Sequence, residues 1–216
     1  MELKIVQQKK DLFEANFNIM QGDSVVGNID LHGISFSMEA NIDINYNGEI
    51  ISLSPTKRKE VVQKTKGIVK ASFFSNSHNR PYKTISNNQN GFVFLQCGSK
   101  ALSFFHFQRY NDEDYYMYAT GFGEKGIVAP VLKNNTYIGE LYKESIVKDD
   151  LHIFNLYIEN ESDVIAFIIY AIYYYLLSYY KAGVKVTEGI KKDIDVTKLP
   201  ERIELCNNSY YLNKNK

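Results

Sequence analysis

Between Val164 and Tyr180 the chain reads VIAFIIYAIYYYLLSYY, seventeen residues without a charge. A helix built from this run is apolar or aromatic on every face, so it has no side to offer to water and must be surrounded by protein or by lipid. At 1.5 Å per residue it spans about 25 Å, short of the ~30 Å hydrocarbon core of a bilayer. Tyr173, Tyr174 and Tyr175 fall in its middle, whereas membrane spans place tyrosine in the headgroup belts. Within a protein core their hydroxyls find partners on surrounding elements. The run therefore reads as a central, buried helix over about 163–182. Ser162-Asp163 is its N-cap, Lys181 suits its C-terminal dipole and Gly183 ends it.

The residues ahead of this helix supply walls for it. Phe13, Ala15, Phe17 and Ile19 alternate with Glu14, Asn16 and Asn18, the period-two pattern of a half-buried strand. Gln21-Gly22-Asp23-Ser24 turns the chain, Val25 to Leu31 returns, and Ile34 to Tyr46 alternates again. Asn47-Gly48 signals a type I′ hairpin, with Glu49 to Leu53 as the partner strand. Further strands are read from Ile68 to Phe74, Phe92 to Cys97, Leu102 to Tyr110, Tyr115 to Phe122, Gly126 to Leu132, Thr136 to Tyr142 and Leu151 to Ile158. About ten strands at such spacing indicate a sandwich or barrel. Residues 54–67 interrupt them as a short basic helix or irregular connection opened by Ser54-Pro55, and residues 75–91 read as a polar exposed loop. The chain is read as a single domain over 1–216. Its core covers 11–182 and a polar extension covers 184–216, in which Leu199 to Leu205 forms a short strand or turn.

Composition narrows the class. Twenty-five basic and 25 acidic side chains cancel, which argues against a nucleic-acid partner because phosphate binding needs a basic excess. A 216-residue chain that is 44% hydrophobic and 23% charged is long enough to bury a stable core. The opening MELKIVQQKKD lacks the apolar stretch of a signal peptide. Cys97 and Cys206 fit no metal or redox spacing and read as reduced thiols. The expected setting is cytoplasmic, peripheral to a membrane if lipid is the ligand.

No catalytic motif stands out. His32, His78, His106 and His152 are scattered without metal-ligand spacing, and His106, in FFHFQRY, reads as a strand residue satisfied by a hydrogen bond. Asn111-Asp112-Glu113-Asp114 lacks a spaced calcium ligand series and reads as a hairpin turn. Gly121 to Gly126 loosely matches G-x-G-x-x-G, but it lies between strands and opens no helix. No cofactor, metal or catalytic residue is assigned, and the protein is expected not to be an enzyme. The surface candidate is the basic cluster Lys57, Arg58, Lys59, Lys64, Lys66 and Lys70, relieved only by Glu60. Each such residue near an anionic membrane contributes about 1 kcal/mol to binding.

The strand meander followed by an all-round hydrophobic helix resembles the tubby-like fold shared by the tubby C-terminal domain, phospholipid scramblases and the plant LURP-one-related proteins. The segment GEKGIVAPVLKNNTYIGELYKESIVKDDLHIFNLYIE, leading into the helix, is similar to small bacterial tubby C-terminal-like proteins. The resemblance implies a mainly β (α+β) fold: a closed antiparallel β-barrel of about ten to twelve strands around a central hydrophobic C-terminal helix. An internal echo accompanies it, Ser24 to Leu31 against Thr136 to Lys143, each with glycine fourth. The polar extension after the helix departs from tubby itself. Three functions stay open: a non-enzymatic module recognising anionic phospholipid headgroups or a membrane surface, a protein–protein interaction domain without lipid affinity, and a membrane-anchored protein spanning at 164–180.

Overall fold

The computed structural model describes residues 1–33, 40–57, 59–61, 81–86, 89–97, 104–181, 183–196 and 198–214. The strands are β1 (Glu2–Lys10), β2 (Ala15–Gln21), β3 (Ser24–His32), β4 (Asn41–Tyr46), β5 (Glu49–Pro55), β6 (Tyr82–Ser86), β7 (Gln89–Cys97) and β8 (Phe104–Tyr110). They continue with β9 (Glu113–Met117), β10 (Thr120–Gly121), β11 (Ile127–Lys133), β12 (Thr136–Lys143), β13 (Ile146–Lys148), β14 (Ile153–Ile158) and β15 (Ile190–Lys192). Twelve of them close an antiparallel barrel in the order β11-β12-β14-β1-β2-β3-β4-β5-β6-β7-β8-β9, with β9 returning to β11. β10 extends β9 along the same edge of β11. The break between them falls opposite Pro130: Tyr118 donates to the Pro130 carbonyl at 3.2 Å, but proline has no N–H to return. The Thr120 hydroxyl donates to the Tyr118 carbonyl instead.

The helix α1 (Val164–Ser178) runs through the barrel with every residue from Val164 to Leu176 buried. Alternate strand residues face it, among them Leu3, Ile5, Phe17, Ile19, Ile29, Leu31, Ile42, Ile44, Phe154 and Leu156. Of the central tyrosines, Tyr175 finds a barrel partner, as does Tyr170 one turn earlier. Tyr170 donates to the His106 carbonyl at 3.3 Å, and Tyr175 accepts from Gln7 Nε2 at 3.0 Å. The helix stops at Ser178, short of the expected 182, and Asp163 occupies the N-cap position without a side-chain cap bond. Its carboxylate is committed elsewhere, accepting from Tyr115 Oη at 2.9 Å and Lys133 Nζ at 3.2 Å.

The internal echo extends to a threefold repeat. Gly27, Gly91 and Gly139 lie in β3, β7 and β12, four strand positions apart around the ring. At each, the space of a side chain is taken by a carbonyl oxygen eighteen residues further on: Asn45, Arg109 and Tyr157 would stand 2.2, 2.3 and 2.1 Å from an added Cβ. A hairpin turn follows in the first two units, Asn47-Gly48 and Asn111-Asp112, all with positive φ as type I′ turns require. In the third unit Glu159 stands where Asn47 does. Glu159 N donates to the Ile138 carbonyl at 3.0 Å as Asn47 N donates to Val26 at 3.2 Å. There the chain enters the barrel as α1 instead of turning, and β1 supplies the missing strand, with Ile158 N donating to the Met1 carbonyl at 2.9 Å.

Several expectations are corrected. β1 belongs to the barrel although the strands were read as starting at residue 11; it pairs with both β14 and β2. The expected loop 75–91 contains β6 and the start of β7, because β6 turns Tyr82 and Thr84 inward and leaves Ile85 exposed, hiding its periodicity. Pro55 ends β5, paired with Tyr82, so the expected short helix does not open at Ser54-Pro55; the described residues 59–61 are helical, with Glu60 N and Val61 N donating to the Lys57 carbonyl. Leu199 to Leu205 is helical over α2 (Pro200–Leu205). With α3 (Tyr210–Lys214), α2 forms a strap on the outer wall, where Tyr210 stacks on Tyr157 at 4.4 Å and Tyr211 on Tyr142 at 4.9 Å. The strand read from Ile68 to Phe74 and the segment 34–39 lie outside the described residues.

Candidate functional site

The two ends of the barrel differ. The turns Gly22-Asp23, Asn47-Gly48, Asn111-Asp112 and Asn134-Asn135 all lie at the end where α1 begins. Asp23, Glu49, Asp112, Glu113, Glu159, Glu161 and Asp163 make that end acidic, which suits a helix N-terminus. The strand ends flanking residues 33–40, 56–81, 98–103 and 144–152 all lie at the opposite end, where α1 stops. Longer connections on a rigid scaffold are where binding sites concentrate.

At this loop end a cavity of about 320 Å³ is lined by Lys10, Lys181, Lys191, Lys192, Asp150, Asp193, His152 and Tyr179 among others. β1 delivers Lys10 at its last residue, the end of α1 delivers Tyr179 and Lys181, and the β13–β15 ribbon delivers Lys191 and Lys192. Asp149 and Asp150, both at φ 53°, tie the ribbon down. Asp150 accepts from Lys191 Nζ and the Thr187 amide, each at 2.6 Å, and Asp149 accepts from the Gly189 amide at 2.9 Å. Burial raises the Asp150 carboxyl, but the Lys191 ammonium and the Thr187 amide outweigh it and hold it at about 2. Lys143, buried beneath the cavity, reaches Asp193 at 3.1 Å and lies 4.6 Å over the Tyr179 ring. Burial lowers the Lys143 ammonium against the opposing pull of Asp193.

Both carboxylates are therefore occupied. Lys10 and Lys181 have no ion-pair partner among the described residues. Lys10 is lowered first by burial and then, against Asp150, by the charges of Lys191 and Lys181, each close enough to repel it. His152 is pushed down to about 3 by burial and by the Lys143 charge. It stays a neutral imidazole against Tyr179 at 4.4 Å, with Nδ1 lacking any partner. A lysine repelled by its neighbours at the wall of a cavity is suited to a ligand bearing anionic oxygens.

Of the basic cluster read from the sequence, Lys57 and Lys59 are exposed just beyond β5, at the same end of the barrel but away from this cavity. Arg58, Lys64, Lys66 and Lys70 lie outside the described residues. The cavity lysines were missed because Lys9-Lys10 and Lys191-Lys192 are ordinary doublets far apart in the chain, brought together only when the β13–β15 ribbon lies over the loop end of the barrel. His106, expected to be satisfied, leaves Nδ1 without a partner, and burial pushes it down to about 3. Asp114 forms a two-pronged pair with Arg109 at 2.7 and 2.8 Å, within a plain hairpin. Cys206 is a free, buried thiol. Among the described residues no group of three or more His, Cys, Asp or Glu is placed to hold a metal.

The chain matches no family model, no curated protein and no solved structure. Fold and site together define a closed twelve-stranded barrel threaded by one helix, with tight turns at its acidic end and a lysine-lined cavity at the other.

Proposed function

We propose that the protein is a non-enzymatic binding module of tubby-like fold that recognises anionic phospholipid headgroups. The convergence of Lys10, Lys181, Lys191 and Lys192 on one cavity carries this reading. A phosphate group placed among them relieves the repulsion that Lys191 and Lys181 exert on Lys10. The twelve-stranded barrel around a buried helix supports the fold assignment. The burial of α1 by strands on all sides favours a core post over a membrane span. The setting is cytoplasmic and peripheral to a membrane.

Co-sedimentation with phosphatidylserine, phosphoinositide and phosphatidylcholine vesicles at low and high salt tests the reading. Binding to the anionic vesicles alone, weakened about tenfold or more by Lys10→Ala with Lys181→Ala, is expected. Equal recovery with neutral vesicles ends it. Unchanged binding in the double variant together with loss in Lys57→Ala/Lys59→Ala moves the site to the other side of the loop end.

A further inference from the structure

The segment following α1 crosses the loop end of the barrel from one wall to the other. Gly183 N donates to the Leu12 carbonyl at 2.8 Å, Asp149 N to Gly189 at 2.8 Å, and Gly123 N to Asp195 at 2.9 Å. These bonds fix residues 183–196 as a cover beside the lysine cavity. Asp193 turns in to Lys143, but the aliphatic side chains stay at the surface. Val184, Val186, Ile190, Ile194 and Val196 are exposed, Ile190 to 74% and Val196 to 76%, and Leu12 joins them from the neighbouring loop. Elsewhere Val25, Ile50, Ile85 and Ile203 are exposed singly, as is ordinary on a protein surface. A concentration of branched aliphatic side chains on one end of a soluble barrel marks an interaction surface.

Lysines are interleaved with the aliphatic residues: Lys185, Lys191 and Lys192 alternate with Val184, Val186, Ile190 and Ile194. Lys191 and Lys192 pair with Asp150 and Glu124, and Asp193 turns in to Lys143. Lys10, Lys181 and Lys185, without ion-pair partners among the described residues, then stand beside the aliphatic residues against Glu188 and complement a surface that is apolar within and anionic outside. An anionic bilayer has that layering. We infer that residues 184–196, with Leu12, form a membrane-insertion rim whose aliphatic side chains enter the acyl region while the adjacent lysine cavity holds a headgroup. This rests on the headgroup reading above and adds a contribution to binding that salt does not screen. The barrel axis then stands across the membrane surface with its acidic end directed away.

The chain contains no tryptophan, so a single introduced indole reports on its own surroundings. Val196→Trp and Ile190→Trp are placed on the rim, and Ile50→Trp, beside the first residue of β5 at the acidic end, is the control. With phosphatidylserine/phosphatidylcholine vesicles the rim variants are expected to shift to the blue and to be quenched by brominated acyl chains, the control to do neither. Ile190→Ser/Val196→Ser is expected to weaken binding at high salt by about tenfold or more, since each methylene withdrawn from the bilayer changes partition about fourfold. Co-sedimentation without a blue shift at 190 or 196 overturns the rim while leaving the headgroup reading standing. Absence of any co-sedimentation overturns both. If the serine variant binds vesicles normally but loses a concentration-dependent self-association, the rim is a protein interface and the inference is wrong.

Discussion

The buried Glu140 carboxylate accepts the Tyr211 backbone N–H at 2.7 Å across seventy-one residues of sequence. The same group takes the Ser209 hydroxyl at 3.0 Å and the Tyr137 hydroxyl at 3.2 Å. One side chain on the outer face of β12 thus anchors the C-terminal strap to the barrel. Glu140→Ala leaves these donors unpaired and is expected to cost about 1–3 kcal/mol, with faster proteolysis confined to residues 198–214. Burial, outweighing these bonds, raises the Glu140 carboxyl above its usual 4.5. The folded state therefore holds this proton more tightly than the unfolded state. The resulting stability is complete below about 4.5 and is lost as pH rises through the folded value. Glu140→Gln should remove that part of the pH profile, and a profile identical to the parent refutes the anchor.

Gly139 combines φ +141° with a Tyr157 carbonyl 2.1 Å and a Phe167 ring carbon 2.9 Å from any added Cβ. Neither the β14 backbone nor a ring packed inside the barrel can retreat cheaply. Gly139→Ala is expected to destabilise by roughly 3 kcal/mol or more. Gly123→Ala, at φ +62° with nothing within 4 Å, should cost only about 1 kcal/mol. Chemical denaturation of both variants decides it: equal losses would mean that the close approach repeated at Gly27 and Gly91 is not a structural requirement of the barrel.

The repeated glycines Gly27, Gly91 and Gly139 also show what the sequence could reveal. The echo around Gly27 and Gly139 was readable because both strands keep the same local pattern. Its third copy at Gly91 was not, since β6 presents Thr84 inward and Ile85 outward. α1 was legible because no face of it could meet water. β1 was not, because Glu2, Lys4 and Gln8 point outward and the inward Gln7 is polar, bonded to Tyr175. The cavity was illegible for another reason: Lys10 and Lys181 are brought together where Gly183 N and Tyr180 Oη donate to the Leu12 carbonyl, a long-range contact that no local run of residues encodes.

His106 faces α1 with its ring edge-on to Tyr173 and Tyr174, and burial holds it at about 3 against an ordinary 6.5. The folded protein keeps the neutral form, so stability is fully present above about 6.5 and is lost as pH falls toward 3. Each such histidine contributes a slope of up to about 1.4 kcal/mol per pH unit within that window. His152, also held at about 3, acts in the same direction. Since His106 Nδ1 has no partner to lose, His106→Phe is expected to flatten the acid limb without lowering stability at pH 7. Thermal unfolding between pH 4 and 7 measures this, and an unchanged acid slope would exclude His106 as a source.

Asp163 sits almost wholly out of solvent at the start of α1, while its partner Lys133 is 24% exposed. The carboxylate has three stabilising neighbours: the Lys133 ammonium, the Tyr115 hydroxyl and the positive end of the helix dipole. Lys133 has an alternative in Glu113 at 3.7 Å and retains access to water. The two halves of the pair are therefore unequal. Lys133→Met leaves Asp163 with Tyr115 and the helix terminus and should cost about 1 kcal/mol. Asp163→Ala strands the Tyr115 hydroxyl inside the barrel, weakens the helix start and should cost about 3 kcal/mol. Equilibrium unfolding of the two single variants and the double tests the ordering. If Lys133→Met proves the more damaging, the ion pair rather than the helix entry is what Asp163 serves.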